Sequence, residues 1–290
     1  TMFDFQKKSG NIPDSVNDCK VIHNYCKPPI HGWTLRKLMK NMKLSRHQLQ
    51  EAYDKLGSWT GWWLNYRDEN CDGLCEYTHG NDSGWDNSTA FDHLPPVTMP
   101  DLAAFLVLQM DVLSEVAEKL NEYSDAQMWK RRADQMLTKM MEVLFRDGHP
   151  VARAGFDMHV VENQSLILYL PIILGRRLPD YVRKNMIQVL ESDKFKTKYG
   201  LATESPYSPE YEADGYWRGP IWAPSTMLLL DGLKECGEDG FVREMTEKFC
   251  GMVQKSGCAE NFDALTGEGL RDRAYTWTAS VMLVMAHEYL

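Results

Sequence analysis

Apolar positions along this chain recur at helical spacing and almost nowhere alternate. Over residues 46–66, Leu49, Ala52, Tyr53, Leu56, Thr60 and Trp63 fall on one stripe, which predicts a helix. Thr98-Met99-Pro100-Asp101 starts another, whose stripe is Leu102, Phe105, Leu106, Gln109, Leu113 and Leu120. Ser124-Asp125-Ala126-Gln127 has the spacing of a capping box. The helix after it turns Trp129, Ala133, Met136, Leu137, Met140 and Leu144 inward, the methionines as core filler. Pro28-Pro29 opens an earlier helix running to about Asn41, because proline costs little in a first turn. Further helices are predicted over 163–175, 179–191, 221–235, 239–255 and 273–290, with a short extended piece from His149 to Ala154. Residues 1–27 are irregular around a Gly10-Asn11-Ile12-Pro13 turn. The tally is about nine helices and almost no strand, an all-α chain.

Three connections break the pattern: 67–97, 192–219 and 257–272. The first runs to about 30 residues; loops of that length inside a compact domain are usually functional or disordered, and its aromatic content argues for function. In a ring of antiparallel helix pairs, alternate loops emerge on the same rim, so these three are expected to converge on one mouth. No fixed-period repeat suggests a solenoid instead.

Composition narrows the partners. The 290 residues, 43% hydrophobic and 25% charged, read as one folded soluble chain. Net charge is −9 with no basic block, and Arg131-Arg132 and Arg176-Arg177 are isolated pairs, so a nucleic-acid partner is not expected. No run of about 18 apolar residues predicts a membrane span. Seven scattered cysteines and a start without a secretory pattern suggest reduced thiols in a cytoplasm. Cys71 and Cys75 have no second pair to make a zinc site. Nine tryptophans and 13 tyrosines matter more, because several lie in the loops. Sugar faces and bases both stack on such rings, and the acidic charge favours a small carbohydrate.

Each loop carries candidate chemistry. In His79-Gly80-Asn81-Asp82-Ser83-Gly84-Trp85-Asp86-Asn87-Ser88-Thr89, glycines free the backbone to expose Asp86 beside an indole. The same residues also suit an ordinary turn. Tyr216-Trp217-Arg218-Gly219-Pro220-Ile221-Trp222 sets two indoles around a guanidinium that could fork onto hydroxyls or a carboxylate, though Trp217 and Trp222 would equally fill a core. In Ala259-Glu260-Asn261-Phe262-Asp263-Ala264-Leu265-Thr266-Gly267-Glu268, spacing does not choose among Glu260, Asp263 and Glu268. Asp68, Asn70, Asp72 and Glu76 alternate around Gly73 like the first half of a calcium loop. His79 stands where that loop needs its bidentate acid, and a polar turn is the competing reading.

The stretches 83–88, 216–222 and 259–268 together resemble glycoside hydrolase family 63, which holds processing and bacterial α-glucosidases and is similar in layout to the α,α-trehalases. The likeness runs from about residue 10 to the end. It implies an (α/α)6 toroid, one catalytic domain over 1–290 with about nine of twelve helices, and inverting hydrolysis of an α-glucosidic or related bond in a disaccharide or short oligosaccharide. It implies Asp86 as general acid and Glu260 as general base, with their carboxyls about 6.5–9.5 Å apart to admit a water. Trp85, Trp217, Arg218, Trp222, Tyr275 and Trp277 would line the sugar pocket, although Trp277 suits a core as well. Asp82 would be a supporting acid, one methylene shorter than the Glu of many relatives. No cofactor is required, and structural calcium is the one candidate. Upstream helices or a second chain would complete the ring. The other readings are a vestigial sugar-binding toroid, a trehalase, and last a sugar epimerase or isomerase, which would want converging histidines.

Overall fold

The computed structural model describes residues 1–93 and 95–290. It divides into two compact units, one of Thr1–Asp86, His93–Phe145 and Ala152–Val160, the other of Asn87–Asp92, Arg146–Val151 and Val161–Leu290.

The first unit is built on α1 (His31–Asn41), α2 (Arg46–Tyr66), a single turn α3 (Gly80–Ser83), α4 (Pro100–Leu120) and α5 (Tyr123–Val143). Helix α4 is apolar on nearly every side, and it is buried from Pro100 to Ser114 with α1, α2 and α5 packed against it. Polar side chains fix its neighbours. Gln109 donates to Thr60 Oγ1 at 3.0 Å and accepts from the Gly32 N–H at 3.0 Å. A Cβ on Gly32 would sit 2.5 Å from the Gln109 Cα, so only glycine lets α1 approach this closely. On α2 the predicted Leu56, Thr60 and Trp63 are buried, joined by Trp59 and Trp62 in an indole cluster with centroids 5.2–5.6 Å apart.

Two local expectations need correcting. The capping box belongs to Ser45 and Gln48 at the start of α2. Ser124 instead lies inside α5, because Asn121 turns the chain through the left-handed region (φ 66°) and the helix resumes at Tyr123. The helix expected over 163–175 is a 3-10 segment, Leu166–Arg177. Pro171 inside it cannot donate an α-helical bond, and Gly175 (φ 52°) breaks the regular turn. The extended piece appears as strands His149–Pro150 and Ala152–Ala154. In the first unit Val97 pairs antiparallel with both Tyr77 and Ala154, a short ladder that anchors the end of the first loop.

The second unit packs the 3-10 segment against α6 (Asp180–Glu191) and α7 (Ala223–Cys236), with α8 (Asp239–Ser256) and α9 (Thr276–Tyr289) completing it. Tyr289 donates to Asp231 at 3.0 Å, pinning α9 to α7. Among the described residues no helix is long and apolar enough to cross a membrane.

One buried acid makes stability depend on pH. Asp101 is 1% exposed, accepts from the Tyr77 hydroxyl at 3.0 Å, and has a pKa raised from 3.8 to about 7 by burial. Between those values the folded state holds a proton that the unfolded chain releases, so this contribution to stability falls as pH rises through the window. Asp101→Asn mimics the protonated form. It should already stabilise somewhat at pH 5, where the unfolded carboxyl is ionised and the folded one is not. It should stabilise more at pH 8, raising the melting temperature there by at least about 2–4 °C, the shift that ~1 kcal/mol gives in a large domain. Equal effects at both pH values in thermal melts would refute the assignment.

Candidate active site

In the first unit, Asp86 ends a tightly braced turn. His79 Nδ1 accepts from Asn81 N at 3.0 Å and starts the single turn of α3, which Gly84 closes in the left-handed conformation (φ 77°). Ser83 Oγ donates back to Gly80 O at 2.7 Å and accepts from Trp85 N at 3.0 Å. Asp82 is the buried brace beneath. Its two oxygens accept from Cys26 N, Thr78 N and Thr78 Oγ1 at 3.0–3.1 Å, with Arg67 Nη2 at 3.8 Å. Asp82 thus holds the turn that leads to Asp86, four residues later. Lys27 adds a clasp, donating to Asn81 O at 3.0 Å while pairing with Asp14 at 3.3 Å.

Asp86 itself is half-buried and follows the buried Trp85. Burial raises its pKa above the ordinary aspartate value; Lys27 and His79 oppose the shift and Asp14 adds to it. Desolvation therefore outweighs the nearby cation.

Glu260 is set in the second unit by a small hairpin. Asn261-Phe262 pairs antiparallel with Gly269-Leu270, and Glu260 N donates to Asp272 O at 2.7 Å. Thr278 Oγ1 holds the preceding carbonyl, Ala259 O, at 2.7 Å. The three competing acids now separate. Asp263 closes the hairpin turn by accepting from Leu265 N and Thr266 N at 2.7 and 3.2 Å, and Glu268 is exposed. Glu260 is half-buried at the strand entrance.

The aromatic loop joins this hairpin directly. Ile221 and Phe262 exchange backbone bonds of 2.7 and 3.0 Å, so the segment that ends at Trp222 lies beside the segment that begins at Glu260. Trp217 and Trp222 are 2% and 1% exposed and stack on each other with centroids 4.1 Å apart, which places both in the core of the unit. Tyr216 is the partly exposed ring of the group. It stands edge-on to Trp222 at 5.0 Å, with the Arg271 guanidinium 5.1 Å from its centroid. Its backbone is left-handed (φ 64°), a conformation that costs a non-glycine residue about 1–3 kcal/mol and must be held by its surroundings. Trp222 Nε1 supplies one such hold, donating to Tyr216 O at 2.8 Å.

Arg218 does not have an open fork. Its Nε donates to Asn87 O at 2.7 Å, Nη2 pairs with Asp92 at 2.5 Å, and Nη1 lies 3.8 Å from Glu210. Arg271 is the cation that the sequence reading missed: it donates to Asn261 Oδ1 and Asp214 O at 3.0 Å each, so it ties the Asn261–Phe262 strand to the aromatic loop. Only its place just beyond the hairpin hinted at this. Tyr275 is half-buried, and Trp277 is 45% exposed, away from the core role also weighed for it.

The first loop reaches the same neighbourhood through Asn87–Asp92. Besides the Asn87 contacts, Ser88 and Ser165 hydroxyls lie 2.8 Å apart, and Thr89 donates to the buried Glu204 at 2.7 Å. Burial raises the Glu204 pKa despite the hydroxyls of Ser208 and Thr89. Residues from all three informative loops therefore meet within the second unit, as the alternation of loops led us to expect.

The 68–76 segment is a chain of side-chain-capped turns. Asp68 accepts from Asp72 N and Gly73 N, Asn70 also from Asp72 N, and Asp72 from Leu74 N, at 2.9–3.1 Å. Glu76 accepts from Glu69 N at 3.1 Å while its second oxygen is buried without a hydrogen-bond partner. A cation loop and a polar turn share this pattern. Among the described residues no three His, Cys, Asp or Glu side chains are grouped as metal ligands.

Comparison with known proteins gives the same direction as the motifs. The family model for the mannosylglycerate hydrolase MGH1-like glycoside hydrolase domain matches residues 1–278. A mannosylglycerate hydrolase of Selaginella moellendorffii is 22% identical over 88% of this chain, which spans 64% of that relative's length. A glucosylglycerate hydrolase of Mycolicibacterium hassiacum is 20% identical over 95% of this chain and 78% of its own. Among solved structures, a family 63 mannosylglycerate hydrolase of Thermus thermophilus, in complex with Tris and D-glycerate, superposes with a TM-score of 0.85 over 98% of this chain and 86% of that one, at 19% identity. The fold is thus the helical toroid class expected from the sequence, and the resemblance to family 63 is borne out.

Proposed function

The chain belongs to the mannosylglycerate hydrolase MGH1-like glycoside hydrolase family, and we propose that it hydrolyses the α-glycosidic bond of a small glycerate glycoside with inversion. Asp86 is the general acid and Glu260 the general base. The observation that carries the reading is the state of Asp86: a half-buried carboxyl whose pKa is raised by desolvation although a lysine stands near. Such a group keeps its proton for the leaving oxygen. Glu260, ionised, would activate a water on the opposite face of the sugar, which yields the inverted anomer.

The substrate class comes from the relatives, whose names specify mannosylglycerate and glucosylglycerate. It refines the α-glucosidic expectation: the aglycone becomes a small hydroxy acid, and either hexose fits the assignment of acid and base. The aromatic loop contributes a partly exposed Tyr216 ring with the Arg271 guanidinium 5.1 Å from its centroid, and Arg271 itself pairs with Asp214 at 2.6 Å.

The test is a panel of α-mannosylglycerate, α-glucosylglycerate, trehalose and α-linked glucose disaccharides, with the first-formed anomer read by NMR. We expect release from a glycerate glycoside with the β-anomer appearing first. An α-anomer would overturn inversion, and release only from the neutral disaccharides would overturn the substrate class. No release anywhere, with calorimetric binding of the same sugars intact, would leave a sugar-binding toroid in place of an enzyme.

A further inference from the structure

The geometry points to Asn87 as a positioning residue: its side chain brackets Tyr216 and holds that ring in the orientation the substrate meets. The inference rests on the reading of the aromatic loop as part of the glycosidase site. Asn87 is exposed, and in sequence it looks like a plain polar neighbour of Asp86. In the structure its carboxamide acts as a peptide surrogate. Nδ2 donates to Gly215 O at 3.0 Å, and Oδ1 accepts from Trp217 N at 3.0 Å. These are the backbone groups on either side of Tyr216, so one side chain spans the residue whose φ is +64°.

A left-handed tyrosine relaxes unless both flanks are held. On one flank the buried Gly215 carbonyl accepts from Arg218 N at 3.1 Å, which closes a turn around Tyr216 and Trp217, and Asn87 Nδ2 is its second donor. On the other, Trp217 is buried and stacked on Trp222, which places its N–H for Asn87. The bracket is in turn held from behind: Arg218 Nε donates to the Asn87 carbonyl at 2.7 Å while its Nη2 pairs with Asp92. Arg218 therefore acts through Asn87, and its guanidinium is spent on the chain. Of Tyr216, Trp217 and Trp222, Tyr216 is the partly exposed ring, with its carbonyl bonded by Trp222 and Arg271 over its face.

Geometry predicts which atoms matter. Asn87→Asp keeps the acceptor for Trp217 N and turns the donor facing Gly215 O into a second acceptor, which repels it. Asn87→Ala removes both bonds. Displacing a substrate-facing group by about 1 Å can cost about 100-fold in rate. We therefore expect kcat/KM to fall about 100-fold in Asn87→Ala and at least about tenfold in Asn87→Asp, on whichever panel substrate the wild type cleaves.

The decisive measurement is the double-mutant cycle with Tyr216→Ala, because contacting residues that act as a unit are not additive. If Asn87 works through Tyr216, the double variant is no slower than Tyr216→Ala alone. Additive losses, or an Asn87→Ala enzyme within about twofold of wild type, would overturn the inference. Near-UV circular dichroism supplies a readout that needs no substrate: loosening the bracket should change the signal of the stacked Trp217–Trp222 pair in Asn87→Ala while the far-UV spectrum stays the same. An unchanged near-UV spectrum would count against the bracket even if the wild type cleaves nothing. A changed spectrum with an inactive wild type would instead leave the bracket standing and remove the proposed function.

Discussion

Asp86→Asn is expected to lower kcat about 10³-fold on a glycerate glycoside, within the 10²–10⁴-fold that a positioned general acid contributes. Asparagine keeps the shape and the hydrogen-bonding reach of the side chain, so the turn built on Asp82, Ser83 and Gly84 should survive and the melting temperature should barely move. What disappears is the proton. A poor leaving group such as the glycerate hydroxyl cannot depart as an alkoxide, whereas fluoride can. The same variant should therefore lose far less on the matching glycosyl fluoride. The pH profile gives a second check. The acid must be protonated, activity falls as pH rises through its pKa, and burial raises that pKa. The basic limb of kcat/KM should lie above the ordinary aspartate range and should vanish in Asp86→Asn. An equal loss on fluoride and glycerate substrates would mean that Asp86 supports the fold or the sugar and does not donate the proton.

The helices behind this site were legible because their signal is local. Leu56, Thr60 and Trp63 share a face of α2 whatever surrounds them, and they are buried as their spacing predicts. Apart from the extended piece at 149–154, the strands escaped notice because most are two residues long, too short for alternation to show. The 3-10 segment was mistaken for an α-helix because Leu166–Leu174 is apolar throughout, and Pro171 inside it was the signal to weigh. The candidate acids rest on a different basis: a glycine-bounded carboxylate beside an indole singles out Asp86, while spacing leaves Glu260, Asp263 and Glu268 open and the resemblance to family 63 selects Glu260. Asn87 and Arg271 were not, because their roles depend on partners far along the chain. Asn87 meets Gly215 across 128 positions, and no spacing rule reaches that far. Arg218 shows the converse. Its motif suggested an open guanidinium, and only the fold shows that Asn87, Asp92 and Glu210 surround it.

Glu260→Gln should be as damaging as loss of the acid and should differ from it in one diagnostic respect. We expect kcat to fall about 10³-fold, again inside the range for general acid–base catalysis. Glutamine is isosteric, and the hairpin is held by main-chain bonds from Glu260 N to Asp272 O and between Ile221 and Phe262, so the fold has no reason to change. A glutamine can still touch a water but cannot take its proton. Water activation is needed whatever the leaving group, so the defect should persist in full on the glycosyl fluoride, where Asp86→Asn recovers. The neighbouring acids supply the internal comparison. Glu268→Gln, at an exposed position, should remain within about twofold of wild type. Asp263→Asn should act on stability first, because Asp263 closes the turn through Leu265 N and Thr266 N. If Glu260→Gln recovered on the fluoride, or if Glu268→Gln proved the slower enzyme, the base would have to be assigned elsewhere. The two leaving groups thus distinguish a missing acid from a missing base without a bound ligand, because each carboxylate is asked for its proton transfer on a different side of the same bond.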